Sequence, residues 1–260
     1  MDTVLEHADR HFFDTVYTGL GVQWSRDYWI RQSVSLYLIT LIGGFVMYLV
    51  FASVAYIFVF DHETKKHPKY LKNQVELEIK AASSSIPWMT LLTLPFFLGE
   101  VRGYSRLYRD PMDYGLGYLI ISAALFVVFT DMLIYWFHRW LHHPLVYGTL
   151  HKPHHKWLVT TPFASHAFHP VDGVIQSLPY HFFVYLFPMQ SHLYLALFIF
   201  VNFWTISIHD GLEFSKNGII NGAAHHSIHH LEFRYNYGQY FTLWDRIGGS
   251  YKAPKKEKSE

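Results

Sequence analysis

The chain has 260 residues, of which 51% are hydrophobic, 19% aromatic and only 16% charged, too apolar a balance for an ordinary soluble domain. A formal net charge of +1, with no basic stripe outside the loops and the short tail, gives no ground for a nucleic-acid partner. The absence of cysteine excludes disulfides, thiolate metal sites and cysteine nucleophiles together, so any metal chemistry falls to the 19 histidines.

Residues 1–30 contain Asp2, Glu6, Asp9, Arg10 and Asp14 and lack a basic, then apolar, leader, so no cleavable signal peptide is expected. The stretch 31–60 carries no charge between Arg31 and Asp61, longer than the roughly 20 residues a bilayer crossing needs. A polar loop is expected over 61–85. Ser85-Ile86-Pro87 reads as a helix start, with Ser at the cap and Pro in the first turn, followed by a short run, 86–101, that Pro95 interrupts and that is kinked or re-entrant.

A third apolar run, 116–137, ends in YWFHRWLHH, which puts His138 and His142 one helical turn apart on one face and turns His143 to another. Asp131 lies on the same stripe as His138 and is costly in lipid unless it faces a polar interior; it either orients a ligand imidazole or bonds a neighbouring helix. HKPHH follows, with His151 three and four residues before His154 and His155. SHAFHP then supplies His166 and His169. Asp172, like Asp210 further on, follows a histidine closely enough for local turn chemistry.

Two more apolar runs, 174–188 and 191–208, are separated only by Pro188-Met189-Gln190-Ser191, a helical hairpin that enters and leaves the membrane on one side. His209 follows in SIHDG. HHSIHH comes next, with His226 three and four residues before His229 and His230 and with His225 adjacent. Trp24, Tyr28, Trp29, Trp88, Trp136 and Trp140 lie near run ends, where amphipathic rings favour the interface.

If the first three runs all cross, the loop 61–85, the segment 138–173 and everything after 209 share one face. That face holds 15 of the 21 Lys and Arg residues, so the positive-inside rule places it in the cytosol. The expected fold is an all-α integral membrane protein with four to five membrane helices and a cytosolic-face helical cap carrying a histidine-rich dimetal site. It is read as a single membrane-embedded domain, 1–260: an N-terminal segment to 30, membrane helices over 31–137, the first two boxes over 138–173, the hairpin over 174–208, the third box over 209–251 and a polar tail over 252–260.

One ion takes four to six ligands, so the ten box histidines His138, His142, His143, His151, His154, His155, His225, His226, His229 and His230 are too many for one and fit two. Imidazole suits iron, copper, zinc and nickel alike. No Glu stands three residues before a His, so the site is an all-histidine one or nearly so. A pH-sensing cluster and a structural or storage zinc site are the bland alternatives. His166, His169 and His209 stand open between ligand, partner of a ligand and packing.

HRWLHH, HKPHH and HHSIHH resemble the HxxxHH, HxxHH and HHxxHH boxes of the membrane fatty acid hydroxylase superfamily. FASHAFHPVDG, SLPYH, NFWTISIHDG and NYGQYFTLWDRIGGS look like the sterol C5-desaturases, and FVFDHETKKHPKYLKNQV extends the likeness to the N-terminal half. The resemblance implies a Δ7-sterol 5(6)-desaturase of the endoplasmic reticulum membrane, with two non-haem irons on the ten box positions, zinc being possible in purified protein. It further implies O2 as oxidant, electrons from NADH through its reductase and cytochrome b5, and a sterol drawn from the membrane lipids, lathosterol going to 7-dehydrocholesterol. Rival readings are a sterol C4-methyl oxidase or lipid hydroxylase with the same site and, from another class, a membrane zinc-binding or transport protein.

Overall fold

The computed structural model describes residues 1–211 and 218–254; Lys216 and the end of the expected tail, 255–260, lie outside them. The described chain is mostly helical. After a short helical N-terminal segment come α1 (Trp29–Phe58), α2 (Gln74–Val101) and α3 (Leu116–Leu141), each long and apolar enough to cross a membrane, which makes this an integral membrane protein. Large apolar side chains on their outer faces, among them Ile42, Val54, Leu91, Ile120 and Val128, stand exposed, as lipid-facing positions do. Trp24, Trp29, Trp136 and Trp140 are exposed near helix ends.

The hairpin is formed by α4 (Pro170–Leu186) and α5 (Ser191–Ser207), 17 residues each and so about 25 Å long at 1.5 Å per residue. Between them Met189–Gln190 pairs in parallel with Leu107–Tyr108, a two-residue strap that ties the hairpin tip to the segment before α3. Both ends of the hairpin therefore lie at the end of the bundle where α3 finishes, the end that carries the histidines. The helix α6 (Ala223–Glu232) sits over that end.

The expected start at Ser85 is wrong. α2 begins at Gln74 and runs unbroken through Pro87 and Pro95, so Trp88 marks the junction of its polar and apolar halves rather than its start. The polar half, QVELEIKAASSS, is covered by the segment that carries the second box: Gln74 Nε2 donates to the Val159 carbonyl at 2.7 Å, Thr161 to Glu78 and Ser85 to the Phe168 carbonyl. Ser85 thus spends its hydroxyl on a distant backbone and not on a cap. Pro87 and Pro95 remove amide donors from the helix, a loss that membrane helices tolerate where neighbours pack closely.

Apolar cores among the described residues hold the bundle. Tyr48, Ala52, Ala82 and Ile86 of α1 and α2 pack with Trp157, Phe163 and Ile206, and Phe126 and Ile134 of α3 pack with Phe183, Tyr194 and Val201 of the hairpin.

Candidate metal centre

The last turn of α3 presents His138 and His142 side by side, their rings 5.4 Å apart. The second box is not one helix: 147–151 forms a wide turn and 154–156 a tight one. That change of direction sends His151 and His155 to one side and His154 to the other. On α6, His226 and His230 share a face, and His229 lies on the next.

Two buried groups of imidazoles result. His138, His142, His151, His155 and His229 form one; His154, His209, His226 and His230 form the other; within each, the candidate donor atoms all lie within 4.8 Å of one another. They adjoin, with the rings of His155 and His230 4.8 Å apart. In the first, Nε2 of His151 lies 3.1 Å from those of His138 and His155, and Nε2 of His229 3.1 Å from that of His155. In the second, Nε2 of His226 lies 3.0 Å from those of His209 and His230.

The opposite ring nitrogens settle what these contacts are. His138 Nδ1 donates to the Tyr237 carbonyl (3.0 Å), His151 Nδ1 to Asp172 (2.7 Å), His229 Nδ1 to the Tyr235 carbonyl (2.7 Å) and His209 Nδ1 to the Thr205 carbonyl (2.7 Å). The proton being on Nδ1, these four Nε2 atoms are lone pairs, and those of His138 and His151, facing one another at 3.1 Å, repel unless a cation lies among them. Nitrogens 2.0–2.1 Å from one ion at ordinary bond angles stand about 3.0–3.4 Å apart, the spacing seen. Burial and the neighbouring rings push His142, His154, His155, His226, His229 and His230 well below 6.5, and burial takes His209 to about 4, so at neutral pH the lone pairs are available. The residues fit two metal ions.

Several expectations are corrected by this geometry. His143 is exposed and belongs to neither group, because the chain leaves the helix there and its Nδ1 accepts from the Leu145 amide. His225, on the far side of α6, is buried against Tyr251, ring centres 5.9 Å apart, and joins neither group. His209 belongs to the second group. His169 caps α4, accepting from the Val171 amide at 3.2 Å, and His166 packs beside Tyr48 and Asn202; neither is in a group.

Asp131 orients no imidazole directly: its Oδ1 accepts from the amides of Gln239, Tyr240 and Phe241. Asp245 takes those of Tyr237 and Gly238 at 2.9 and 2.8 Å. Two buried carboxylates thereby hold the 237–241 loop, whose Tyr237 carbonyl positions His138. A Cβ at Gly238 would lie 2.6 Å from the Phe241 carbonyl oxygen, so the loop's compactness requires glycine there. Sequence reasoning missed the Tyr235 and Tyr237 carbonyls, which no residue type announces, and weighed Asp172 mainly as a turn residue.

A cavity of about 340 Å³, mostly apolar, runs down from the imidazoles between α1, α2, α4 and α5. His138, His154, His209 and His226 line its upper end; Phe97, His181 and Phe198 line its lower one.

The fatty acid hydroxylase family model matches residues 123–250. The Delta(7)-sterol 5(6)-desaturase of Schizosaccharomyces pombe is 54% identical over 98% of this chain and 84% of its own length. Human lathosterol oxidase is 54% identical over 98% of this chain and 86% of its own. A probable Delta(7)-sterol 5(6)-desaturase of Neurospora crassa is 58% identical over 89% and 67%. No solved structure matches.

Proposed function

The chain belongs to the sterol 5(6)-desaturases of the fatty acid hydroxylase family, and from that premise we propose that it introduces the C5=C6 double bond into a Δ7-sterol, taking lathosterol to 7-dehydrocholesterol. The observation that carries the reading is a mostly apolar cavity of about 340 Å³ that reaches His138, His154, His209 and His226. The substrate loses one hydrogen from C5 and one from C6. One O2 takes up those two hydrogens together with two electrons and two protons from a donor, leaving two waters.

His138, His142, His151, His155 and His229 would hold one ion, and His154, His209, His226 and His230 the other. Iron is the ion of the proposal; zinc, which also takes imidazole, is the expected competitor during purification, although five nitrogens exceed the four that structural zinc prefers. The bound pair supplies the oxidising power toward an unactivated C–H bond, which no side chain provides. The chain's own part is positional. Asp172, Tyr235, Tyr237 and Thr205 hold protons on Nδ1 and so keep Nε2 free. The apolar walls exclude water and hold C5 and C6 beneath the imidazoles, where alignment replaces a bimolecular search.

The whole of 1–260 is proposed as one membrane-embedded unit of the endoplasmic reticulum, with the hairpin dipping in from the face that holds the imidazoles. The excess of Lys and Arg on that face supports a cytosolic orientation. Lys152 and Lys156, exposed on either side of the buried His154 and His155, suit an acidic electron donor, proposed to be cytochrome b5 reduced from NADH.

Expression in cells lacking their own sterol 5-desaturase tests the reading. Δ5,7-sterols are expected with the native chain and not with His154→Ala; unchanged Δ7-sterols in the presence of intact protein would overturn it in favour of a hydroxylase.

A further inference from the structure

Below the second imidazole group, one polar spot in the cavity is a proton short. Ser165 Oγ lies 2.7 Å from the Pro162 carbonyl and 3.0 Å from His166 Nδ1, while His166 Nε2 lies 3.4 Å from Asn202 Oδ1. The amide of Asn202 cannot be turned over, because its Nδ2 donates to the Phe198 carbonyl at 2.8 Å and the exchange would set two oxygens against each other. Three contacts thus share two hydrogens, one on Ser165 and one on a neutral His166. The Ser165 hydrogen goes to the Pro162 carbonyl, the shortest contact at 2.7 Å, and the His166 hydrogen goes from Nδ1 to Ser165 Oγ at 3.0 Å, the shorter of that ring's two contacts. His166 Nε2 and Asn202 Oδ1 are left as two acceptors facing each other, and theirs is the longest of the three contacts. Burial holds His166 at about 4, so no solvent proton fills the gap at neutral pH.

Four other hydroxyls on the cavity wall are spent on their own helices: Thr40 on Leu36, Thr93 on Met89, Ser177 on Val174 and Thr205 on Val201. We propose that His166 and Asn202 receive the 3β-hydroxyl of the sterol, the hydroxyl donating its hydrogen to His166 Nε2 beside Asn202 Oδ1 and so fixing which carbons meet the imidazoles. The inference rests on the desaturase reading and deepens it.

Distance along the sterol supports this placement. The hydroxyl oxygen is three bonds from C5, so whatever holds it must lie close to the imidazoles. His166 does: the Phe168 ring is 6.0 Å from the His166 ring and 5.8 Å from that of His154, one ring apart. His181 also lines the cavity and has both ring nitrogens unpartnered, 3.9 Å from Glu100 at the nearest. It lies nine residues along α4 from Asp172, about 13 Å, at the end where the sterol's alkyl tail would lie. A sterol in the leaflet already carries its hydroxyl at the interface and would enter in the proposed orientation.

The test compares a 3β-hydroxy Δ7-sterol with its 3-deoxy counterpart in the native, metal-loaded protein and in His166→Phe, His166→Gln and Asn202→Leu. Leaving two buried acceptors unsatisfied should cost the native protein on the order of tenfold to a hundredfold in kcat/KM on the deoxy sterol. That ratio should collapse toward one in His166→Phe and Asn202→Leu and survive in part in His166→Gln. Equal native turnover of both sterols, or variants that lose both equally, would overturn the assignment while leaving the desaturase reading intact; turnover of neither would overturn both. Ligand-induced thermal stabilisation in micelles gives a readout independent of turnover and of the variants' folding: it should be larger with the hydroxy sterol, and equal stabilisation counts against the site.

Discussion

His151 Nδ1 donates a 2.7 Å hydrogen bond to Asp172 Oδ2, and both side chains are fully buried. Asp172 stands in the first turn of α4, and its other oxygen accepts from Gln176 one turn on. The carboxylate therefore transmits the rigidity of a helix to an imidazole on a separate turn and fixes its tautomer and ring orientation.

Replacing Asp172 with Ala should accordingly cost tenfold to a hundredfold in affinity at the five-histidine group and lower sterol conversion in parallel. Asp172→Asn, which keeps an acceptor oxygen, should lose less. Metal content of the purified variants after graded chelation reads both.

Histidines in and out of the groups should separate cleanly. His209→Ala removes one of four donors of the second group and should leave about one ion per chain and no conversion. His143→Ala and His225→Ala should keep two ions. Metal analysis with sterol profiling decides, and loss of an ion from His225→Ala would redraw the second group.

Asp131 anchors three backbone amides of the 239–241 loop. Asp131→Leu leaves them buried without an acceptor, at about 1–3 kcal/mol for each group stranded in this way. A markedly lower midpoint in thermal unfolding in detergent is expected, together with weaker metal retention, since the same loop carries the Tyr237 carbonyl. Asp131→Asn should fall between.

Stability should depend on pH in a definite direction. The buried imidazoles are held below 6.5 in the folded state, His209 at about 4, so the unfolded chain binds more protons once pH drops below 6.5. Their contribution is steady above about 6.5 and is lost as pH falls from there toward 4. Metal-free protein should show this as a falling midpoint over that window, and metal retention should fall with it, because protons compete for the same lone pairs.

Charge reversal at Lys152 and Lys156 should raise the apparent KM for the electron donor, most at low salt, and leave metal content untouched. Unchanged donor dependence would remove this face as the docking site.

Much of the molecule was legible in the chain because membrane solvation and helix geometry are local. Uncharged runs marked α1 and α3 and the hairpin, and the three- and four-residue spacings paired His138 with His142 and His226 with His230. The start of α2 was not legible: its polar half looks like a loop until the box-carrying segment covers Gln74, Glu78 and Ser85, a contact between residues some 80 apart. His143 and His225 sit in the right motifs, yet whether a histidine joins a group depends on where the backbone turns after it.

By itself the sequence determined residue type and periodicity: a membrane protein without thiols, with more imidazoles than one ion can use, clustered at helix ends. Only the tertiary structure decided which nine of them converge, because convergence needs α3, the turns around Pro153, the end of α5 and α6 in one place. It also decided the protonation of His151 and His138, since the acceptors on their Nδ1 atoms are a carboxylate 21 residues away and a carbonyl 99 residues away, set by folding and by no local pattern.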